Sequence, residues 1–234
     1  MKGFRTALVT GGNRGIGLSV VRQLSQKGIE TLLASRDLQA GERCAKALRK
    51  EGLPVTALQL DVISQESIHK ARASVKKMFG RLDILINNAA VYLDRDKNLH
   101  ELKDGVFELT IATNLTGPLN LCRAFLPMMK AQGYGRIVNL TSGYGESRYL
   151  VAKVGAYKIS KYAINGMTRI LAGEVDGKKI KINSVCPGWV RTRMGGPSAT
   201  RSPEEAAKGV VWAARLEEGG PSGQFFRDQR QVQW

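Results

Sequence analysis

The sequence has 234 residues, of which 43% are hydrophobic and 24% charged, and its formal net charge at pH 7 is +16. Such an apolar fraction can build a sizeable core, and it excludes the disordered, collagen-like and low-complexity classes. The uncharged apolar stretches are shorter than the ~20 residues that a membrane span needs, so we expect a soluble protein with no membrane contact.

Cysteine and histidine usage limits the chemistry further. Cys44, Cys122 and Cys186 are far apart and form no Cys-x-x-Cys pair, and the only histidines are His69 and His100. A disulfide framework and a protein-built zinc site are therefore not expected. With no visible export signal at the amino terminus, we expect a cytoplasmic protein that needs no metal.

The basic residues are scattered along the chain, with Lys178-Lys179-Ile180-Lys181 as the densest run. No basic stripe interleaved with aromatic residues is present in the sequence, so the charge favours a solvated basic surface over a specific nucleic-acid site. Nucleic-acid binding stays open as an alternative.

Short apolar runs alternate with longer amphipathic stretches along the whole chain. Strands are predicted at residues 6–10, 31–34, 55–60, 82–86, 136–140, 180–185 and 223–226. Helices are predicted at residues 16–26, 42–50, 65–79, 104–130 with a break at Gly117-Pro118, and 157–175, and a last helix is opened by the capping box of residues 202–205. This alternation predicts an α/β fold in a single domain over residues 1–234, with helices on both faces of a parallel sheet.

A glycine-rich turn joins the first strand to the first helix. It reads Thr10-Gly11-Gly12-Asn13-Arg14-Gly15-Ile16-Gly17, with the spacing G-x-x-x-G-x-G. Glycines at a strand-to-helix turn let backbone N–H groups approach a pyrophosphate at the helix N-terminus. The turn therefore predicts a nucleotide-binding loop.

The end of the second strand indicates which dinucleotide binds. Ser35 and Arg36 stand where a dinucleotide fold meets the adenosine ribose, and Arg14 adds a second cation. A guanidinium pairs with a 2′-phosphate, whereas a carboxylate binds a free 2′-hydroxyl. We therefore expect NADP, with Asp37 as the residue that would favour NAD if it took the ribose position.

A tyrosine and a lysine stand at helical spacing in the second half of the chain. Tyr157 and Lys161 are i and i+4 on one helix face, and Ser142 lies fifteen residues before Tyr157 at the end of a strand. An ammonium beside a phenol lowers the pKa of the phenol, and a serine hydroxyl can hold a carbonyl oxygen.

With these motifs, and with Asp61-Val62, Asn87-Asn88-Ala89-Ala90, Asn114 and Pro187-Gly188, the chain resembles the short-chain dehydrogenase/reductase family over essentially its whole length. Residues 186–197 and 202–205 resemble most the NADPH-dependent carbonyl reductase branch. The resemblance implies a Rossmann-type, doubly wound sheet of about seven strands with the site at the carboxyl ends of the strands.

The resemblance also implies roles for individual residues. Tyr157 would donate the proton, Lys161 would lower its pKa and bind the nicotinamide ribose, Ser142 would orient the carbonyl, and Asn114 would hold a water that links Lys161 to solvent. Residues expected to bind NADP(H) are Gly11, Asn13, Arg14, Gly15, Ile16, Gly17, Ser35, Arg36, Asp61, Val62, Asn88, Ala89, Ala90, Tyr157, Lys161, Pro187, Gly188, Val190 and Thr192. Ala90 departs from the family, which commonly has glycine there.

The expected function is the reversible, NADPH-dependent reduction of ketones or aldehydes to alcohols. Val91, Tyr144, Tyr149, Trp189 and Met194 are candidate walls of a substrate pocket, which the short segment 193–201 should leave exposed. Two alternatives remain: a 3-oxoacyl thioester reductase that meets an acidic carrier protein, and a regulator or nucleic-acid binder without catalysis. Relatives pair through the helices that contain Asn114 and Tyr157, which suggests a homodimer or homotetramer.

Overall fold

A computed structural model describes residues 4–234. One sheet contains eight strands: β1 (Thr6–Thr10), β2 (Glu30–Ser35), β3 (Val55–Gln59), β4 (Ile84–Asn87), β5 (Gly135–Leu140), β6 (Ile180–Cys186), β7 (Phe225–Arg227) and β8 (Arg230–Gln231). The strand order is β3-β2-β1-β4-β5-β6-β7-β8, and each neighbouring pair is parallel except β7 and β8. The predicted parallel, doubly wound α/β sheet is confirmed.

The eighth strand differs from the expectation of about seven. It contains two exposed residues that turn back along β7 after Asp228 and Gln229, both of which have positive φ. A two-residue polar strand carries no alternation of apolar and polar residues, so the sequence pattern could not reveal it.

The helices lie where the amphipathic stretches indicate, with shifted ends. They are α1 (Gly15–Ser25), α2 (Leu38–Lys50), α3 (Gln65–Phe79), α4 (Val106–Ile111), α5 (Gly117–Gln132), α6 (Gly155–Gly173) and α7 (Pro203–Ala213). α2 begins four residues earlier than predicted, because the side chain of Asp37 caps it by accepting a hydrogen bond from the Ala40 N–H. Ser202 and Glu205 form the predicted capping box of α7.

The break predicted at Gly117-Pro118 is a π-helical turn just before these residues. Residues Ala112–Thr116 form this turn between α4 and α5, and they include Asn114. Gly117 fits there because an added Cβ would lie 2.8 Å from the carbonyl oxygen of Val62. Single π-turns inside helices are frequent at functional sites.

Alternating side chains of the strands feed two apolar cores. On one face Ala7 and Val9 of β1 pack with α1, α2 and α7, and on the other face Leu8 packs with α3, α5 and α6. The strand register places Leu8 beside Leu32 of β2 and Leu85 of β4, and all three side chains belong to the second core. The sheet is thus covered on both faces, as a parallel sheet requires.

The carboxyl ends of β1, β4, β5 and β6 lie together at one edge of the sheet. The strand order reverses between β1 and β4, where β1 continues into the glycine-rich turn. Open parallel sheets bind ligands in the crevice at such a reversal. Within residues 4–234, no helix combines the length and the apolar character needed to cross a membrane.

Candidate active site

The glycine loop, residues 11–17, closes tightly around the start of α1. Gly11 and Gly15 have φ values of +62° and +51°, and a Cβ at Gly17 would lie 2.3 Å from the Gly11 carbonyl oxygen. Arg14 is the N-cap residue, and among the described residues no side chain caps α1 and its first turn carries no acid. Asn13 and Ile16 complete the turn, with Ile16 packed on the core. The free N–H groups and the narrow backbone fit a diphosphate.

Asn88 supports the glycine loop from the end of β4. Its side-chain amide donates to the carbonyl oxygens of Thr10 (2.8 Å) and Gly11 (3.2 Å). The Thr10 hydroxyl accepts from the backbone N–H groups of Asn88 and Ala89 at 2.9 and 3.0 Å. Asn88 therefore holds the loop in shape, while Ala89 and Ala90 follow it as half-buried residues.

The adenosine side contains an exposed cation at the end of β2. Ser35 is buried and Arg36 is exposed. Asp37 caps α2 through Oδ1, which accepts from the Ala40 N–H, so one of its two carboxylate oxygens is used to begin the helix. Asp61 is half-buried at the end of β3, and Val62 beside it is buried in the core.

Tyr157 and Ser142 meet at the carboxyl edge of β5. Burial is the largest cause that raises the pKa of Tyr157 above its usual range, and the charge of Cys186 acts in the same direction. A hydrogen bond with Ser142 acts against both and lowers this pKa. The Ser142 hydroxyl oxygen accepts from the Tyr144 N–H at 3.2 Å, and the Tyr144 ring lies 6.3 Å from the Tyr157 ring, so Ser142 and Tyr157 lie in the same part of the crevice.

Lys161 lies one helical turn from Tyr157. Its Nζ donates to the Leu140 carbonyl oxygen at 2.8 Å and lies 5.6 Å from the centroid of the Tyr157 ring. Burial lowers the pKa of Lys161 to about 8. The effect of Lys161 on the pKa of Tyr157 stays a prediction; in this arrangement burial is the largest influence on that pKa, and the ammonium donates to the Leu140 carbonyl.

Asn114 is tied to the loop after β4. Its Oδ1 accepts from the Val91 N–H at 2.8 Å, and its Nδ2 donates to the Val91 carbonyl at 2.9 Å and to the Ser160 hydroxyl at 3.1 Å. These bonds connect the π-turn, the loop and α6. Both Nδ2 hydrogens are used in these bonds, so the water expected at Asn114 would donate to Oδ1 or to the backbone carbonyl of this residue.

The loops after β6 complete the crevice. Gly188 has a φ of +83°, and a Cβ there would lie 2.8 Å from Nε of Arg201. Pro187 precedes it, Val190 is buried at 4% exposure, and Thr192 approaches the glycine loop, with its Cγ2 3.2 Å from a Cβ position at Gly15. The segment thus lies over the glycine loop.

Aromatic rings pack beside the Tyr157 ring. The Tyr144 ring lies 6.3 Å from the rings of both Tyr149 and Tyr157, and Met194 Sδ lies 4.0 Å from the Tyr157 hydroxyl oxygen. The Val91 N–H donates to Asn114, and the exposed Trp189 side chain donates to the Gly195 carbonyl at 2.8 Å. Both residues therefore also stabilise the loops that carry them.

Three residues that sequence reasoning missed belong to this region. The Tyr92 ring lies 4.7 Å from the Tyr157 ring, the buried Asp94 accepts a hydrogen bond from the Tyr157 N–H, and Arg193 lies beside Thr192. Only proximity to Val91 and Thr192 in the sequence could have indicated them. Within the described chain, no group of three or more His, Cys, Asp or Glu side chains is arranged for a metal ion.

Comparison with known proteins agrees with this geometry. The sequence profile described as short chain dehydrogenase matches residues 5–202. Carbonyl reductase [NADPH] 1 of Sus scrofa is 35% identical over 98% of this chain and 94% of its own length. That alignment extends over 283 positions, so the pig protein has insertions that this chain lacks.

Solved structures of two reductases have a similar fold. Salutaridine reductase from Papaver somniferum is similar with a TM-score of 0.84 and 27% identity, over 96% of this chain and 99% of that one. A variant of the actinorhodin polyketide ketoreductase, solved with NADPH, has a TM-score of 0.87 and 28% identity, over 96% of this chain and 95% of its own.

The fold and the crevice at the strand reversal define a Rossmann-type α/β protein of the dinucleotide-binding class. With the profile match over most of its length, the chain belongs to the short-chain dehydrogenase family and is an oxidoreductase.

Proposed function

We propose that this oxidoreductase reversibly reduces ketones or aldehydes to alcohols with NADPH, and that Tyr157 gives the proton to the carbonyl oxygen. The observation that carries the proposal is the grouping of Tyr157, Ser142 and Lys161 at the carboxyl edge of the sheet, with Tyr144 packed between Ser142 and Tyr157. Lys161 stands behind them on the same helix as Tyr157. The carbonyl reductase of Sus scrofa is named for NADPH, which supports the same cofactor here.

Tyr157 is held as a neutral phenol, because burial raises its pKa. A neutral phenol can donate its proton as the carbonyl oxygen gains negative charge during reduction. Ser142 then donates a second hydrogen bond to the same oxygen, which stabilises that charge. Lys161, with its pKa of about 8, can return a proton to Tyr157 near neutral pH.

The residues at the adenosine side fit NADP(H). Arg36 would hold the 2′-phosphate with help from Arg14, and the uncapped start of α1 would hold the diphosphate. When bound, the nicotinamide supplies the hydride. Asp37 is the competing residue, since NADH would need the carboxylate oxygen that does not cap α2 for its ribose hydroxyl.

The walls around Tyr157 favour a flat, apolar carbonyl compound. Tyr92, Tyr144 and Tyr149 line the approach, and Tyr144 and Tyr149 are 38% and 39% exposed. Aromatic rings stack on planar apolar groups and leave polar recognition to the hydroxyls. The exposed rings leave the crevice open, which suits substrates of varied size.

A 3-oxoacyl thioester reductase is the second candidate. A net charge of +16 would attract an acidic carrier protein, and a polyketide ketoreductase is among the similar structures. The same Tyr157 chemistry would serve this substrate, so only the substrate distinguishes the two candidates.

A panel assay tests the proposal. NADPH absorbance is followed with aryl ketones, aldehydes, quinones and 3-oxoacyl thioesters, for the wild type, Tyr157→Phe and Tyr162→Phe. Tyr162 is a matched control on the same helix, because its ring packs on Trp234 at 5.5 Å. We expect Tyr157→Phe to lose turnover by roughly 10²-fold or more while still binding NADPH, and Tyr162→Phe to keep it. Near-normal turnover in Tyr157→Phe would contradict the assigned proton donor.

A second copy of this chain is the proposed partner for α6. The outward side of this helix is largely apolar, with Ile159 at 37% and Ile170 at 65% exposure. Contiguous apolar surface on a helix marks an interaction site, and closed twofold symmetry is the commonest arrangement for identical chains.

A further inference from the structure

Arg14, Arg36 and Arg193 converge on one side of the crevice from three different segments. Arg14 is the N-cap residue of α1, Arg36 follows β2, and Arg193 lies in the loop after β6. All three are exposed. The sequence singles out the first two, whereas Arg193 is identified by its place in the fold.

The loop that carries Arg193, residues 190–196, is fixed against the glycine loop. Its neighbour Thr192 packs on Gly15, where an added Cβ would lie 3.2 Å from Cγ2 of Thr192. The Thr192 hydroxyl accepts from the Gly195 N–H at 3.1 Å, and the Thr192 carbonyl accepts from the Gly196 N–H at 2.9 Å. Arg193 is therefore held beside the start of α1.

The other arginines of the adjoining loops have partners. Arg191 donates to the carbonyls of Ala199 and Thr200, Arg95 donates to the carbonyl of Met194, and Arg201 pairs with Asp228. Within residues 4–234, by contrast, the guanidinium groups of Arg14, Arg36 and Arg193 form no ion pair and no hydrogen bond.

The three cations repel one another. Partial burial of the otherwise exposed Arg14 side chain is the first cause that lowers its pKa, followed by the charge of Arg193 and then that of Arg36. Like charges held together without a counter-ion destabilise the site, and an anion bound between them relieves that repulsion. Of the two neighbours, Arg193 acts on Arg14 more strongly.

We infer that Arg193 binds the diphosphate of the dinucleotide. It would do so together with Arg14, while Arg36 binds the 2′-phosphate. This inference rests on the proposed function. The 190–196 loop contacts Gly15 at the start of α1, where a dinucleotide fold holds the diphosphate. The 2′-phosphate lies at the end of β2, where Arg36 already stands. Arg14 lies between the two and serves both anions.

Comparing NADH with NADPH tests whether Arg193 binds the diphosphate or the 2′-phosphate. NADH and NADPH share the diphosphate and differ in the 2′-phosphate, so loss of Arg193 should weaken both equally. Loss of one exposed charge-assisted contact corresponds to about a tenfold weaker Kd. Loss of Arg36, in contrast, should weaken NADPH alone.

The experiment measures Kd for NADPH and for NADH by titration calorimetry, without substrate, on the wild type, Arg193→Gln, Arg36→Ala and Arg215→Gln. Arg215→Gln is a matched control, because it removes the same charge at an exposed position next to Leu216, which contacts Arg136 at the opposite end of the sheet. We expect Arg193→Gln to weaken both cofactors by about tenfold and Arg215→Gln to change neither by more than about twofold.

Equal Kd values for Arg193→Gln and Arg215→Gln would overturn the inference and leave the proposed function standing. A loss for NADPH alone would also overturn it, because Arg193 would then belong to the 2′-phosphate. A wild-type chain that binds neither dinucleotide would instead overturn the proposed function and this inference with it.

Discussion

The carboxylate of Asp94 accepts a hydrogen bond of 3.2 Å from the backbone N–H of Tyr157, which lies 63 positions later in the chain. Val154, the N-cap residue of α6, has a φ of +58° and provides no capping side chain. Asp94 is fully buried, and its second carboxylate oxygen has no hydrogen-bond partner among the described residues. Asp94 therefore caps the helix from another segment and fixes the start of α6 where Tyr157 stands.

Replacing Asp94 should disturb the placement of Tyr157 more than the binding of NADPH. A lost cap costs about 0.5–2 kcal/mol of stability, and a misplaced proton donor can reduce turnover by roughly 10- to 100-fold. We expect Asp94→Ala to lower kcat within that range with an unchanged Kd for NADPH, and Asp94→Asn, which retains an acceptor oxygen, to recover most of the turnover. Steady-state kinetics and a cofactor titration measure the two effects. If Asn and Ala variants lose kcat equally, the hydrogen bond is not what positions Tyr157.

The buried lysine makes stability depend on pH. Burial lowers the pKa of Lys161 from 10.5 to about 8, so between these values the folded chain binds fewer protons than the unfolded one. Stability therefore rises with pH through this window, because the cost of burying the ammonium disappears as the group becomes neutral. Between about pH 7.5 and about pH 9.5 the gain from Lys161 is about 2 kcal/mol.

Urea unfolding at these two pH values tests the effect on the wild type and on Lys161→Met, which keeps the length of the side chain and removes its charge. The wild type should gain about 2 kcal/mol relative to the variant as the pH rises. Tyr157 contributes little in this range, because its raised pKa and its ordinary value of 10.0 both lie above it. Parallel changes in both proteins would mean that Lys161 keeps an ordinary pKa in the folded chain.

Much of the fold could be predicted from periodicity and turn residues. The runs around Leu8, Leu85 and Ile182 are buried strands, and the capping box at Ser202 begins α7 as predicted. Such signals are local, since they depend on neighbours a few residues apart. The start of α2 shows the limit, because the Asp37 carboxylate caps the helix through the Ala40 N–H and the amphipathic pattern does not indicate this bond.

The parts of the site that could not be predicted depend on contacts between distant segments. Asp94 reaches Tyr157 and Thr192 reaches Gly15 only after the sheet brings the strand ends together. The pKa of Tyr157 is a further case, because i,i+4 spacing indicates a lysine nearby but contains no information on burial or on the direction of the ammonium. The residue types of the site could therefore be predicted from the sequence. The effect of burial and of neighbouring charges on their pKa values could not, because it depends on how the folded chain packs around them.

The apolar side of α6 predicts an association that one substitution should disrupt. Ile170 is 65% exposed, and a second copy covering it would bury the side chain. We expect the wild type to sediment as a dimer or larger and Ile170→Glu as a monomer, because a charge in an apolar interface has no partner. Sedimentation velocity measures this, with Lys208→Glu on α7 as an exposed control. An unchanged sedimentation coefficient in Ile170→Glu would place the interface elsewhere.

Cofactor preference is the prediction that depends most on a single side chain. If Arg36 meets the 2′-phosphate, it forms charge-assisted hydrogen bonds that NADH cannot accept, worth about 1.5–3 kcal/mol, or about 10- to 150-fold in preference for NADPH. Arg36→Ala should therefore raise KM for NADPH and leave the kinetics with NADH nearly unchanged. Asp37 supplies the control, since Asp37→Asn retains an oxygen that can accept the Ala40 N–H and cap α2. That variant should retain the preference for NADPH. A wild type that prefers NADH, together with loss of NADH binding in Asp37→Asn, would mean that the Asp37 carboxylate binds the ribose and that Arg36 is a solvated surface charge.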